Sequence, residues 1–372
     1  MKSPEVYKKL GIEPVINAQS WVTVLGGSLM KPEVLSAMNE ASSVFVDMIK
    51  LNKSAGDFIA KICNAEKGLV TSGCAAAQVL MVAACMTGKD ESKIDLLPSS
   101  SLVKNQVLLH SMQRNRYEKS FVMPGAKIVE YSSEEELNEL ISDKTACIAY
   151  VMAPWLSRGL GLLKTIKVAQ KNNVPIILDA AAELPPRENL SKFIDMGVDL
   201  VAFSGGKGIQ GPQSTGFLVG GKELVEAAFM NSLNLHSNLA AIGRPMKVSK
   251  ENIIGLITAL QLFIDEDESM EWGNWLDKSK KIKISLQDIQ EIEVTIEDDK
   301  QIRQGPTVVI RFNENYKGPT LEKILFELEN GTPNIFVSTQ PNIKEISLVM
   351  VNLQDGEEII VAERLKQILG NI

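Results

Sequence analysis

The chain has 372 residues, 45% of them hydrophobic and 23% charged, which suffices for one large domain plus a smaller one, or for two comparable domains. Its formal net charge is -7, without a lysine-rich arm or an arginine stripe, which argues against non-specific nucleic-acid binding while leaving room for a small, locally basic pocket. No segment reaches the roughly 18 uninterrupted apolar residues that cross a bilayer, so no membrane partner is expected either.

The opening MKSPEVYKKLGIEPVINAQS lacks the apolar core of a signal peptide. Cys63, Cys74, Cys85 and Cys147 show no CxxC spacing, and His110 and His236 are the only imidazoles. No metal site is expected from that set, and a cytoplasmic protein with reduced thiols is. From about residue 55 to 220, short apolar runs alternate with amphipathic stretches. TACIAYVM (145–152) reads as a strand, TIKVAQKNN (165–173) as a short helix, and VPIILDAA (174–181) as a strand ending in an acid. NLSKFIDMG (189–197) is helical again, and VDLVAFSGG (198–206) is a buried strand with a glycine break. This alternation predicts an α/β domain with a mostly parallel sheet and helices on both faces.

A second character begins near residue 250. KENIIGLITALQLFIDEDESMEWGNWLDKSKKI (250–282) reads as a long helical passage, with the acidic DEDES (265–269) as a solvated turn. EIEVTIED (291–298) and PTVVIRF (306–312) alternate like half-exposed strands, and TLEKILFELENG (320–331) reads as a helix. NIFVST (334–339) and EISLVMVNL (345–353) are strands again, and GEEIIVAERLKQIL (356–369) is a last helix. The expected organisation is a large domain over 1–249, followed by a linking helix and a small C-terminal α+β domain over 250–372.

Three features of the large domain fall at strand ends or helix starts, where ligands gather in open α/β sheets. In VTSGCAAAQVLMVAACM (70–86), Ser72, Gly73 and Cys74 open an alanine-rich helix. That junction suits a phosphate through its free N–H groups and dipole, or is an ordinary serine cap. Asp179 follows four apolar residues; it either caps a local turn or faces a cationic ligand atom. Lys207 stands in FSGGKGIQGPQSTGFLVG (203–220), 28 residues after Asp179, about one helical crossover later. Alone it reads as a solvated lysine as readily as a chemical one, and neither a Walker GxxxxGK[ST] nor a GxGxxG is present. Together the three match what pyridoxal phosphate requires: a Schiff-base lysine, an acid for the pyridinium nitrogen and a helix start for the phosphate. Ser204 can add a phosphate hydrogen bond, and the glycines around Lys207 let the backbone pass close beneath a flat cofactor. Arg114, Arg116 and Tyr117 form either an anionic substrate pocket or a solvated basic turn. His110 and His236 can each be a proton shuttle or a satisfied structural histidine.

On SGGKGIQGPQSTGFLVG, ILDAAAELPP, TSGCAAA, IGRPMKVSKENIIGL and PVINAQSWVTVLGGSLMKPEV, the sequence resembles the selenocysteine-synthase-like branch of the fold-type I pyridoxal phosphate enzymes. The resemblance covers roughly residues 10 to 260. It implies Lys207 as the Schiff-base residue, Asp179 on the pyridine nitrogen, and Ser72, Gly73, Cys74 and Ser204 around the phosphate. It also implies Arg244 on a substrate carboxylate or other anion, a task suited to a guanidinium, with a salt bridge at the domain boundary as the competing reading. Relatives carry NAAGT or similar where this chain has NAQSWVT, which puts Gln19 and Trp21 near the implied pocket mouth. A ring commonly stacks on the cofactor in this superfamily, and His110 or Gln113 holds that position here.

The branch includes a tRNA-dependent enzyme that makes selenocysteine and a lyase that removes ammonia from a phosphorylated amino sugar acid. The former is longer, with an added N-terminal domain, and this chain is nearer the lyases in length and in DAAAELPP and GRPMKV. The resemblance therefore implies a homodimeric or larger lyase that deprotonates Cα of a small amino acid or amino sugar acid and eliminates a leaving group. Group transfer, by transamination or by β-replacement on a serine-like substrate, is the alternative. A sensor or scaffold on the same fold is disfavoured, because Lys207 and Asp179 are both present.

Overall fold

The computed structural model describes residues 4–99, 104–153, 159–232, 239–300, 303–340 and 343–370. The chain divides into two units, one of residues 28–266 and one joining residues 1–27 to 267–372.

The larger unit is built on a seven-stranded sheet. From edge to edge its strands are Lys67–Thr71, Gly216–Gly220, Leu200–Ser204, Ile176–Asp179, Thr145–Val151, Gln106–His110 and Lys127–Tyr131. Six run parallel, and Gly216–Gly220 is antiparallel to both of its neighbours. The central strands are apolar on both faces because successive residues feed opposite cores. Ile176, Leu178, Val201 and Phe203 enter one cluster, and Ile177, Leu200 and Ala202 enter the other. The helix Cys74–Thr87 covers the second face with Ala77, Leu80, Met81 and Ala84. Leu162–Lys171 and Lys250–Asp265 cover the first, the latter through Ile253, Leu256, Ala259, Leu260 and Phe263.

That burial moves the expected division of the chain. The helix after residue 250 belongs to the core of the larger unit, so the boundary lies at 266/267 instead of 249/250. The long helical passage is two helices, Lys250–Asp265 and Glu268–Leu286. Glu266 is extended, and the Asp267 carboxylate starts the second helix by accepting the N–H groups of Ser269 at 2.9 Å and Met270 at 3.2 Å. The acidic run is thus the turn at which one unit ends.

The smaller unit holds a five-stranded sheet ordered Val15–Ala18, Asn334–Thr339, Glu345–Val349, Thr307–Phe312 and Ile292–Glu297. It is antiparallel except for Val15–Ala18, which pairs parallel with Asn334–Thr339. The N-terminal segment, expected in the large domain, is therefore part of this unit. Ser338 Oγ donates to the Gln19 carbonyl, and Asn352 Nδ2 donates to those of Ser20 and Gly27, each at 3.0 Å. Ile16, Ala18 and Trp21 enter its core.

Candidate active site

The carboxyl ends of the six parallel strands share one edge of the large sheet, and the three sequence features sit on it. Gly216, at the start of the antiparallel strand, pairs with Thr71 on one side and Ser204 on the other. It therefore stands between the Ser72–Cys74 turn and the segment leading to Lys207. A Cβ on Gly216 would lie 2.6 Å from the Cys74 nitrogen and 2.7 Å from the Phe203 carbonyl oxygen, so only glycine lets the helix start come this close.

The helix Cys74–Thr87 begins without a side-chain cap: Gly73 is the N-cap residue, and Ser72 is not. The serine-cap reading therefore fails. The first N–H groups of this helix have no partner within it and carry the positive end of its dipole, an arrangement suited to a phosphate.

Asp179 closes the strand Ile176–Asp179 and is 8% exposed. Its Oδ1 accepts the Ala181 N–H at 3.0 Å and the Cys74 thiol at 3.5 Å. Burial pushes its pKa above the usual carboxylate range; the Ala181 N–H, the Lys207 charge, the Cys74 thiol and the Gln78 amide pull the other way. Glu183 is raised by burial and then by the Asp179 charge, and it too feels Lys207. Burial, reinforced by Asp179, raises the Cys74 thiol well above its ordinary value, so this cysteine is a neutral donor.

Lys207 is half-buried in the loop after Leu200–Ser204. The neighbouring Gly208 packs closely on another part of the chain. A side chain on Gly208 would run into the Leu184 carbonyl and the Pro185 ring, so the close approach is to the protein's own backbone. That contact ties the residues after Asp179 to the loop that carries Lys207.

The remaining candidates separate. His110 is buried, with Nδ1 accepting the Met112 N–H at 3.1 Å and its ring edge-on to Tyr131 at 5.1 Å. Gly159 packs against the same ring. Gln113 is fully buried, and its Oε1 accepts the Val151 N–H at 3.0 Å. Both side chains are buried, and the Gln113 Nε2 has no hydrogen-bond partner among the described residues. Arg114 is exposed and ion-paired with Glu118 and Glu130. Arg116 is exposed and lies over the Tyr117 ring at 5.3 Å. Arg244 is exposed on the short turn Arg244–Met246 and has no ion pair among the described residues, so the boundary salt bridge is not found. Gln19 is half-buried beside the strand Val15–Ala18 of the smaller unit. His236 lies outside the described residues. No cluster of three metal-ligating side chains occurs among the described residues.

Sequence reasoning missed Gln78, Ser120 and Glu183. Gln78 had a signal, as the lone amide in the apolar CAAAQVLMVAACM. Ser120 had none, because only the fold brings it to Gln78.

The arrangement fits pyridoxal phosphate. An uncapped helix start can take the phosphate, Lys207 lies near it, and Asp179 is a buried acid whose desolvation neutral donors offset only in part. With its mostly parallel sheet and smaller α+β unit, the chain is a fold-type I pyridoxal phosphate enzyme. Residues 33–327 match the aminotransferase class-V family, and the chain belongs to that family. It is 29% identical to a D-glucosaminate-6-phosphate ammonia lyase of Salmonella typhimurium (strain 14028s / SGSC 2262), over 98% of each chain. A solved structure of a D-glucosaminate-6-phosphate ammonia-lyase superposes with a TM-score of 0.85 at 28% identity, covering 99% of both chains. A 5'-C-glycyluridine monooxygenase-decarboxylase of Streptomyces sp is 28% identical over 98% of this chain and 92% of its own. An L-seryl-tRNA(Sec) selenium transferase of Alkaliphilus metalliredigens (strain QYMF) is 23% identical over 72% of this chain and 59% of its own.

Proposed function

We propose that the chain is a pyridoxal phosphate-dependent lyase that removes ammonia from a β-hydroxy-α-amino acid of the amino sugar acid class. The observation that carries this is the setting of Asp179, buried beside Cys74 at an uncapped helix start and within the field of Lys207. Bound pyridoxal phosphate supplies a sink for the electron pair left when a Cα–H bond breaks. Lys207 Nζ would hold the cofactor and, when free of it, would take the Cα proton of the substrate. Asp179 keeps a proton on the ring nitrogen. The start of Cys74–Thr87 and the hydroxyls of Ser72 and Ser204 hold the phosphate. Exposed Arg244 and Arg116 remain to bind the substrate carboxylate and phosphate.

The net change is balanced without an oxidant. Cα loses a proton and Cβ loses hydroxide, together one water; hydrolysis of the resulting enamine consumes one water and releases ammonia and an α-keto acid. The likeness to a monooxygenase-decarboxylase at nearly equal identity favours a second reading, oxygen-dependent decarboxylation. Supplying phosphorylated amino sugar acids without any keto acid separates these outcomes. Ammonia and a keto acid in equal amounts, with no oxygen uptake, are expected. Turnover that requires an added keto acid or oxygen would overturn the lyase reading.

Pairing with a second copy belongs to the same proposal. Val44, Val46 and Ile49 are exposed, and Phe45 fully so, an apolar surface of the kind a partner covers. The four cysteines are free, in keeping with a cytoplasmic setting, and no helix of the described residues is long and apolar enough to cross a membrane.

A further inference from the structure

Behind Asp179 a line of polar side chains runs into an otherwise apolar core. Ser120 Oγ lies on Gln78 Oε1, Gln78 Nε2 lies 3.8 Å from Cys74 Sγ, and Cys74 Sγ lies 3.5 Å from Asp179 Oδ1. None of the four residues is more than 8% exposed. Each buried polar group costs free energy unless it is partnered, and an aliphatic residue at 78 would fill the same space without that cost. The donors also have one consistent direction. The Ser120 hydroxyl has two acceptors, the Gln78 carbonyl oxygen and, at 2.9 Å, the Tyr117 carbonyl oxygen; its one proton, given to Gln78, fixes the amide. The amide N–H then faces the cysteine sulfur, and the thiol proton points at the carboxylate. The reversed amide would turn its oxygen toward Asp179, like dipole against like charge.

We propose that Ser120, Gln78 and Cys74 form a donor relay that orients the Asp179 carboxylate and holds it ionised toward the cofactor nitrogen, with Gln78 as its central positioning residue. This rests on the reading of Asp179 as the partner of the cofactor ring. Gln78 does not touch the reacting atoms; it acts through Cys74 and on Asp179, whose carboxyl it helps to lower. The other groups facing Asp179 are the Lys207 ammonium, which lowers it, and Glu183, with which it shares a repulsion. The Lys192 charge lowers Glu183 in turn. The relay adds fixed neutral dipoles to that set, and their effect does not vanish when Lys207 is engaged with the cofactor.

Two titrations on the full-length protein test this. In the first, the Asp179 carboxyl of the cofactor-free protein is followed by infrared spectroscopy with isotope-labelled aspartate, its band assigned by loss in Asp179→Asn. Losing one hydrogen bond to a charged group should move the midpoint upward by about one pH unit in Gln78→Leu. Ser120→Ala should move it the same way by less, and Cys74→Ser should leave it near wild type, since a hydroxyl also donates. In the second, pyridoxal phosphate affinity is measured against pH. The acid-side loss of binding should begin about one pH unit higher in Gln78→Leu, with affinity about tenfold weaker there. A packing role alone would lower Tm and move neither midpoint. An unchanged Asp179 midpoint in both Gln78→Leu and Ser120→Ala would overturn the relay, and the smaller Ser120→Ala change keeps the test available if Gln78→Leu does not fold. A wild-type protein that binds no pyridoxal phosphate, while Gln78→Leu still shifts Asp179, would overturn the cofactor reading and support the relay.

Discussion

At Asp179 a carboxylate follows Ile176, Ile177 and Leu178, all fully buried, and the cost of that position sets its behaviour with pH. Its folded-state pKa is raised, so between the unfolded value near about 4 and that raised value the native state holds the extra proton. The cofactor-free protein therefore loses stability from this group as pH rises through the window and keeps it in full below. Asp179→Asn should make the cofactor-free protein more stable to urea at neutral pH, with the difference closing toward about pH 4. The same substitution should weaken pyridoxal phosphate binding on the order of a hundredfold, because it removes one member of a buried charge pair. Opposite signs in the two measurements mark a residue kept for chemistry at the expense of stability. The position of Asp179 was legible because an acid ending an apolar run is conspicuous. The burial of His110 and Gln113 was not, since both are decided by packing against Tyr131, Gly159 and Val151 from other parts of the chain.

Strand ends and helix starts place the chemistry, and the register between them is tight. Gly216 lies between two such ends, with the Cys74 nitrogen and the Phe203 carbonyl oxygen closer than any side chain could allow. Gly216→Ala must push backbone against backbone, and a cost of about 1–3 kcal/mol is expected in denaturant unfolding. Because the displaced group is the start of Cys74–Thr87, pyridoxal phosphate affinity should fall as well, which a control alanine at half-buried Gly221, where a Cβ meets only the Glu66 carboxylate at 3.9 Å, should not reproduce. Elements with a clear period were read well from sequence: Asn334–Thr339 was placed to the residue, and Thr145–Val151 and Glu357–Leu369 to within one. The break at Glu266–Asp267 was hidden inside a continuous helical pattern. An Asp cap within an acidic run looks like one more solvated charge until its two N–H partners are seen.

For the whole molecule, the units do not follow the order of the chain. The strand Val15–Ala18 joins a sheet made otherwise from residues beyond 290, and its parallel pairing with Asn334–Thr339 spans most of the sequence. Nothing local in PVINA signals a partner that distant; the alternation of apolar residues reveals a strand and not its sheet. In the larger unit, by contrast, consecutive crossovers build the sheet, so its architecture and the edge that carries the site could be read in order. A site made for a cofactor also couples cofactor to stability. Removing pyridoxal phosphate by dialysis against a carbonyl reagent should lower Tm, and saturation at 1,000 times the dissociation constant should restore about 4 kcal/mol. Covalent binding of this cofactor by Lys207 is decided by the absorbance spectrum of the purified protein before and after borohydride, with peptide mapping of the reduced product. A near-ultraviolet to visible band that borohydride bleaches, and a cofactor fixed on the peptide containing Lys207, are expected. A colourless protein that takes up no added pyridoxal phosphate, or a label on any other lysine, would contradict that binding.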